Sequence, residues 1–126
     1  MSRPLVTLTD LRDEIASAGA KEAFDVIVKG FSALAGLSLT PHEQGFLNSL
    51  RISRGEEFCF AVVPDDDWVL AYIRKPELRR GTLTPDAVQA EFPDARLTNK
   101  GEITLRIHDA ATAARWIDMI AAAPAP

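Results

Sequence analysis

Glu57-Phe58-Cys59-Phe60-Ala61-Val62-Val63 runs into Pro64-Asp65-Asp66-Asp67 and then into Trp68-Val69-Leu70-Ala71-Tyr72-Ile73-Arg74-Lys75. Two apolar, β-branched and aromatic runs around a short acidic turn are the signature of a β-hairpin. Both runs are apolar at nearly every position instead of alternating. The hairpin is therefore expected at the centre of its sheet, with helices packed on both faces.

Downstream of the hairpin, Pro76-Glu77-Leu78-Arg79-Arg80-Gly81 breaks the sheet. Thr84-Pro85-Asp86 then opens a helix as a cap followed by proline, with Leu83 and Val88 positioned as a hydrophobic staple and Pro93 as the stop. A second hairpin turns at Asn99-Lys100-Gly101. In its second strand Ile103, Leu105 and Ile107 alternate with Thr104, Arg106 and His108, the pattern of a strand covered on one face and wet on the other. Asp109 caps a last helix whose Ala113, Trp116, Ile117 and Ile120 recur at helical spacing.

Upstream, helical periodicity governs. Thr7 or Thr9 caps a first helix carrying Leu8, Leu11, Ile15 and Ala18, with Gly19 as its stop. A second helix from about residue 20 to 35 shows one apolar face of Ala23, Phe24, Ile27, Phe31 and Leu34. Gly30 lies inside it at a cost of about 1 kcal/mol unless something packs there closely. Thr40-Pro41-His42-Glu43 has the spacing of a capping box, and predicts a third, short helix bringing Phe46, Leu47 and Leu50 to the core. The chain thus reads as α+β: an N-terminal three-helix layer followed by a ββαββα unit with a four-stranded, largely antiparallel sheet. Residues 1–120 read as one domain, and the alanine and proline run over residues 121–126 as a frayed, disordered tail.

The composition narrows the function without choosing it. With 126 residues, 47% hydrophobic and 25% charged, the chain can bury a core without a disulfide or metal staple. The single cysteine, Cys59, fits a reducing compartment. No leader and no run of ~20 apolar residues is visible, so a cytoplasmic protein that does not enter a membrane is expected. The abundance of alanine, and of arginine over lysine, matches a GC-rich bacterial genome. A net charge of -4 argues mildly against a general phosphate-binding surface.

Candidate chemistry is sparse. Asp65, Asp66 and Asp67 lack the alternate-position ligand spacing of a calcium loop, so they read as a solvated turn and no metal is expected. Cys59, His42 and His108 are the candidates for a nucleophile and base, but no nucleophile elbow, glycine-rich phosphate loop or metal-ligand spacing accompanies them. No cofactor is expected, and the inventory leans away from an enzyme. The densest basic cluster is Arg74, Lys75, Arg79 and Arg80, with Arg51 and Arg54 near the preceding strand.

Three functions follow from this inventory. The first is a non-catalytic interaction domain that binds another protein or itself through a sheet edge or the outer side of the helical layer. The second is a nucleic-acid-binding module using the basic strand exit from Arg74 to Arg80. The third is a small-molecule or catalytic site near Cys59 and His108. Trp68 and Tyr72 share strand parity with Leu70 and are expected to pack on a helix.

Overall fold

The computed structural model describes residues 6–44 and 47–123, and the protein is α+β. Its described helices are α1 (Leu8–Asp13), α2 (Ala18–Ser32), α3 (Lys75–Arg79), α4 (Pro85–Glu91) and α5 (Ala110–Ala122). The strands are β1 (Leu37–Gln44), β2 (Leu47–Arg54), β3 (Glu57–Pro64), β4 (Val69–Ile73), β5 (Arg96–Leu97) and β6 (Ile103–Ile107). They form one sheet in the order β1-β2-β3-β4-β6-β5, with every neighbouring pair antiparallel. Strands β3 and β4 form the central hairpin.

The sheet has six strands, not four, and the helical layer before it has two helices, not three. Thr40-Pro41-His42-Glu43 does not open a helix. It lies in β1, with Thr40 opposite Arg51 and Pro41 opposite Leu50. The local capping pattern is overridden because Leu37 and Leu39 alternate with Ser38 and Thr40, a strand period that pairs with the alternating Leu50 and Ile52 of β2. Proline is tolerated there because β1 is an edge strand. The expected core role of Phe46 lies outside the described residues, as does the side chain of Leu47, while Leu50 is fully buried.

Other boundaries also move. Helix α1 stops after Asp13, and Gly19 lies in the first turn of α2, where a Cβ would sit 2.8 Å from the carbonyl oxygen of His108. Helix α5 extends to Ala122, so the first two residues of the expected tail are helical; residues 124–126 lie outside the described residues. The caps at Thr7, Thr84 and Asp109 form as their sequences imply, each side chain accepting a bond from a first-turn amide.

One continuous core joins the helices to one face of the sheet. Leu50, Ile52, Phe60, Val62, Val69, Ala71, Ile73, Ile103, Leu105 and Ile107 come from the strands, and Leu11, Phe24, Ile27, Phe31, Val88, Trp116 and Ile120 from helices. At its centre the rings of Phe31, Phe60 and Trp116 stand 5.1, 5.4 and 6.2 Å apart pairwise, two of the pairs edge-on. Such pairs add ~0.5–1.5 kcal/mol each beyond the area they bury.

The expectation of helices on both faces is not met among the described residues. What mimicked two-sided burial is a β-bulge. Ile52 pairs with Phe60 and Ser53 with Phe58, so Cys59 is the extra residue in β3. Cys59 and Phe60 are consecutive and both buried, while Phe58 and Ala61 are carried to the other face.

Candidate functional site

Because the described helices cover one face, the side chains of opposite parity form an open sheet face. Along β2 these are Ser49, Arg51 and Ser53, along β3 Phe58, Ala61 and Val63, and along β4 Leu70 and Tyr72. Most are half-buried. Trp68 and Tyr72 therefore do not pack on any of the described helices. Their shared parity with Leu70 was read correctly from the sequence, but it places all three on the open face.

A cleft of about 360 Å³ opens there, floored by Ala61, Val63, Tyr72 and Phe58 and rimmed by Arg51, Arg74, Lys75, Lys100 and Glu102. The Phe58 ring holds the guanidinium carbons of Arg74 and Arg51 at 4.0 and 4.6 Å from its centroid. A cation over a ring face contributes ~0.5–2 kcal/mol, so the two arginines are positioned by the aromatic as much as by any acid. Arg74 is further fixed: its Nε donates to Glu102 at 3.0 Å and its Nη1 to the carbonyl of Phe58 at 2.8 Å. For Arg51 no described carboxylate lies within salt-bridge distance, and its Nε is buried without a hydrogen-bond acceptor. Burial and the nearby Glu102 carboxylate push the Tyr72 phenol up from its usual range, so it remains a neutral donor at physiological pH.

At the other end of the same face, a wider cleft of about 580 Å³ lies between Trp68, Leu70, Thr104 and Arg106 on one side and the Pro93–Arg96 turn on the other. Arg106 lies 4.4 Å over the Trp68 ring, and His108 meets that ring edge-on at 5.9 Å. Asp65 and Asp94 stand opposite Arg96 and Arg106 on this lining, so this end is electrically balanced whereas the Arg51 end is cationic.

The six basic residues singled out from the sequence divide between two places. Arg51, Arg74 and Lys75 converge on the open-face cleft. Arg54 and Arg80 turn to the helical side, where they enclose Glu77, 1% exposed. Arg54 grips this carboxylate through both oxygens, at 3.0 and 3.3 Å, and Arg80 Nε lies 4.0 Å away. Arg79 is exposed on α3 and belongs to neither group. The basic strand exit is therefore not one surface: α3 begins at Lys75 and rotates Arg79 and Arg80 away from Arg74.

Phe58, Lys100, Glu102 and Arg106 were not recognised as site residues. Arg106 was visible at a wet position of the strand alternation. Phe58 was hidden by the bulge, which breaks the parity on which its facing depends.

The catalytic candidates do not meet. Cys59 is buried on the far side of the bulge, its Sγ donating at 3.5 Å to the carbonyl of Glu57, and burial first of all raises its thiol above the ordinary range. His108 follows β6 and lies beside Trp68, whereas Cys59 lies beside Arg74 at the other end of β4, roughly 20 Å away along the strand at ~3.3 Å per residue. His42 is carried by the edge strand β1. Asp65, Asp66 and Asp67 are exposed, and the Asp66 carbonyl accepts the amides of Ala16 and Ser17, both at 2.9 Å, tying the hairpin tip to the α1–α2 connection. Among the described residues no cluster of three or more His, Cys, Asp or Glu is arranged to hold a metal ion, and no helix is long and apolar enough to cross a membrane.

The outer side of the helical layer carries two ion pairs, Arg12 with Asp25 at 2.9 Å and Arg115 with Glu91 at 3.1 Å. The two sheet edges are an eight-residue strand that carries Pro41 and a strand of two residues. No protein-family model matches the chain, and no curated protein or solved structure matches it either.

Proposed function

We propose that this chain is a non-catalytic, cytoplasmic binding domain that takes a partner protein onto the open face of its sheet. The observation that carries the reading is the one-sided placement of the described helices, which leaves Phe58, Val63, Leu70, Tyr72 and Trp68 half-buried on a face that none of those helices covers. An apolar, aromatic floor with an arginine rim has the composition of a protein-binding patch, where aromatic and arginine side chains contribute most of the energy. The matched ion pairs of the helical layer and the blunted edges favour this face over the other surfaces.

Affinity capture from cell extract with the wild type and with Val63→Arg tests the reading. A partner held by the wild type and lost by the variant, with unchanged thermal unfolding, is the expected result. Light scattering on a size-exclusion column tells a second copy from a different partner. A strictly monomeric protein that captures nothing, or equal capture by both proteins, removes the reading.

A second reading, single-stranded nucleic acid on the same face, is favoured by the convergence of Arg51, Arg74 and Lys75 beside Tyr72. It predicts salt-dependent affinity for an oligonucleotide that falls with Arg51→Gln. Arg79→Ala should leave this affinity unchanged, because Arg79 is not on the face.

A further inference from the structure

We infer that the partner segment seated in the Arg51 cleft is an extended acidic one, with carboxylates toward Arg51 and Lys100 and apolar side chains on Val63 and Tyr72. This rests on the reading of the open face as a protein-binding surface, and specifies the chemistry of what binds there.

Charge complementarity is the first ground. The whole chain carries a net -4, yet the cleft is lined by Arg51, Arg74, Lys75 and Lys100 against the single carboxylate of Glu102. That carboxylate is committed to Arg74 at 3.0 Å. The local sign is thus opposite to that of the molecule, and three cations remain for an incoming acid.

The second ground is Arg51 itself. Its guanidinium rests on Phe58, its Nε is closed off without an acceptor, and no described carboxylate neutralises it. Among the described residues no carboxylate compensates it, which leaves its guanidinium to an acid arriving at the cleft that Arg51 lines. A guanidinium presented as a flat fork suits a carboxylate accepting two bonds.

The third ground separates a protein segment from a nucleic acid. The Phe58 ring in the cleft is already occupied by two guanidiniums, so a base would have to displace a cation to stack there. The Ala61 and Val63 floor offers aliphatic contact instead, which suits leucine, isoleucine or valine in the partner.

Fluorescence anisotropy with a short labelled peptide alternating glutamate with leucine tests the inference, alongside the lysine-leucine analogue and a labelled oligothymidylate. Saturable binding of the acidic peptide is expected, with no binding of the basic one. Arg51→Gln should weaken it about tenfold and Lys100→Glu, at an exposed turn, about threefold or more. Arg79→Glu, off the face, should leave it unchanged.

Absence of saturable binding overturns the inference, as does binding by Arg51→Gln and Lys100→Glu with the affinity of the wild type. Oligothymidylate that binds more tightly and displaces the peptide assigns the cleft to nucleic acid instead. A captured partner that Val63→Arg loses but Arg51→Gln and Lys100→Glu both retain refutes the acidic segment while leaving the open-face reading intact.

Discussion

Replacing Gly30 with alanine sets two effects of similar size against each other, and the structure decides the sign. Alanine in a helix interior is favoured over glycine by about 1 kcal/mol, so Gly30→Ala would stabilise α2 in isolation. In the folded protein the added methyl would lie 2.7 and 2.8 Å from Cγ2 and Cγ1 of Ile117 and 3.1 Å from its Cδ1. Carbon atoms rest at ~3.5–4.0 Å, so the overlap approaches 1 Å at two atoms. Ile117 is β-branched and sits within α5, where one χ1 rotamer dominates, so it cannot swing aside. The two helices must move apart, and overpacking of this kind costs ~1–3 kcal/mol. The net expectation is a loss of about 1 kcal/mol, or roughly 3–5 °C in Tm for a domain of this size.

Urea unfolding followed by tryptophan fluorescence measures the loss, and a double-mutant cycle tests its cause. Ile117→Ala alone should cost at least ~2 kcal/mol. Combined with Gly30→Ala it should cost at least ~1 kcal/mol less, because the new methyl partly fills the vacated space. A raised urea midpoint for Gly30→Ala, with the two substitutions additive, would refute the close approach of α2 and α5.

Glu77→Gln removes the carboxylate shared by Arg54 and Arg80 and should destabilise the fold by about 3 kcal/mol, the low end for a broken buried pair because both arginines keep about a quarter of their surface in water; chemical denaturation reads this directly. Cys59 should resist thiol reagents in the native protein and react at the rate of unfolding. Because burial raises its folded pKa above the ordinary 9.0, the unfolded chain loses its proton first, and stability falls as pH rises past about 9, a slope that Cys59→Ala reduces. Asp109 accepts the Thr112 amide at 2.7 Å, which holds its carboxyl below the ordinary 3.8. The associated stability is present above that pH and lost as pH falls through the depressed value. Asp109→Asn should keep the cap and flatten the acid slope, while Asp109→Ala should cost about 1 kcal/mol in a thermal melt.

Much of the fold was legible because local signals agreed with tertiary ones. The caps at Thr84 and Asp109, the alternation from Ile103 to His108 and the helical spacing of Ala113, Trp116, Ile117 and Ile120 each meant the same thing in isolation and in the fold. Where they disagreed, tertiary pairing prevailed. Thr40 to Glu43 satisfies a helix-start rule over four residues, but the pairing of β1 with β2 spans eight and sets the backbone. The site was harder to read for a geometric reason. Arg74 to Arg80 is compact in sequence, but a helix beginning at Lys75 distributes those cations over opposite sides of the sheet. Arg51, Lys100 and Phe58 converge only through strand register and one inserted residue. No window of sequence contains that information.

The pairing of α2 with α5 also bears on how the chain is made. Gly30 meets Ile117, and Phe31 meets Trp116 edge-on at 5.4 Å, so an early helix is completed by a late one. At ~5–20 residues per second, the chain between Ser32 and Ala110 takes on the order of 4–16 s to synthesise. During that interval α2 can rest its Phe24, Ile27 and Phe31 only on the emerging strands, with its α5 side bare. Until α5 docks, the side of α2 that receives Ile117 and Trp116 stays uncovered, so the arrival of a late helix is what seals an early one.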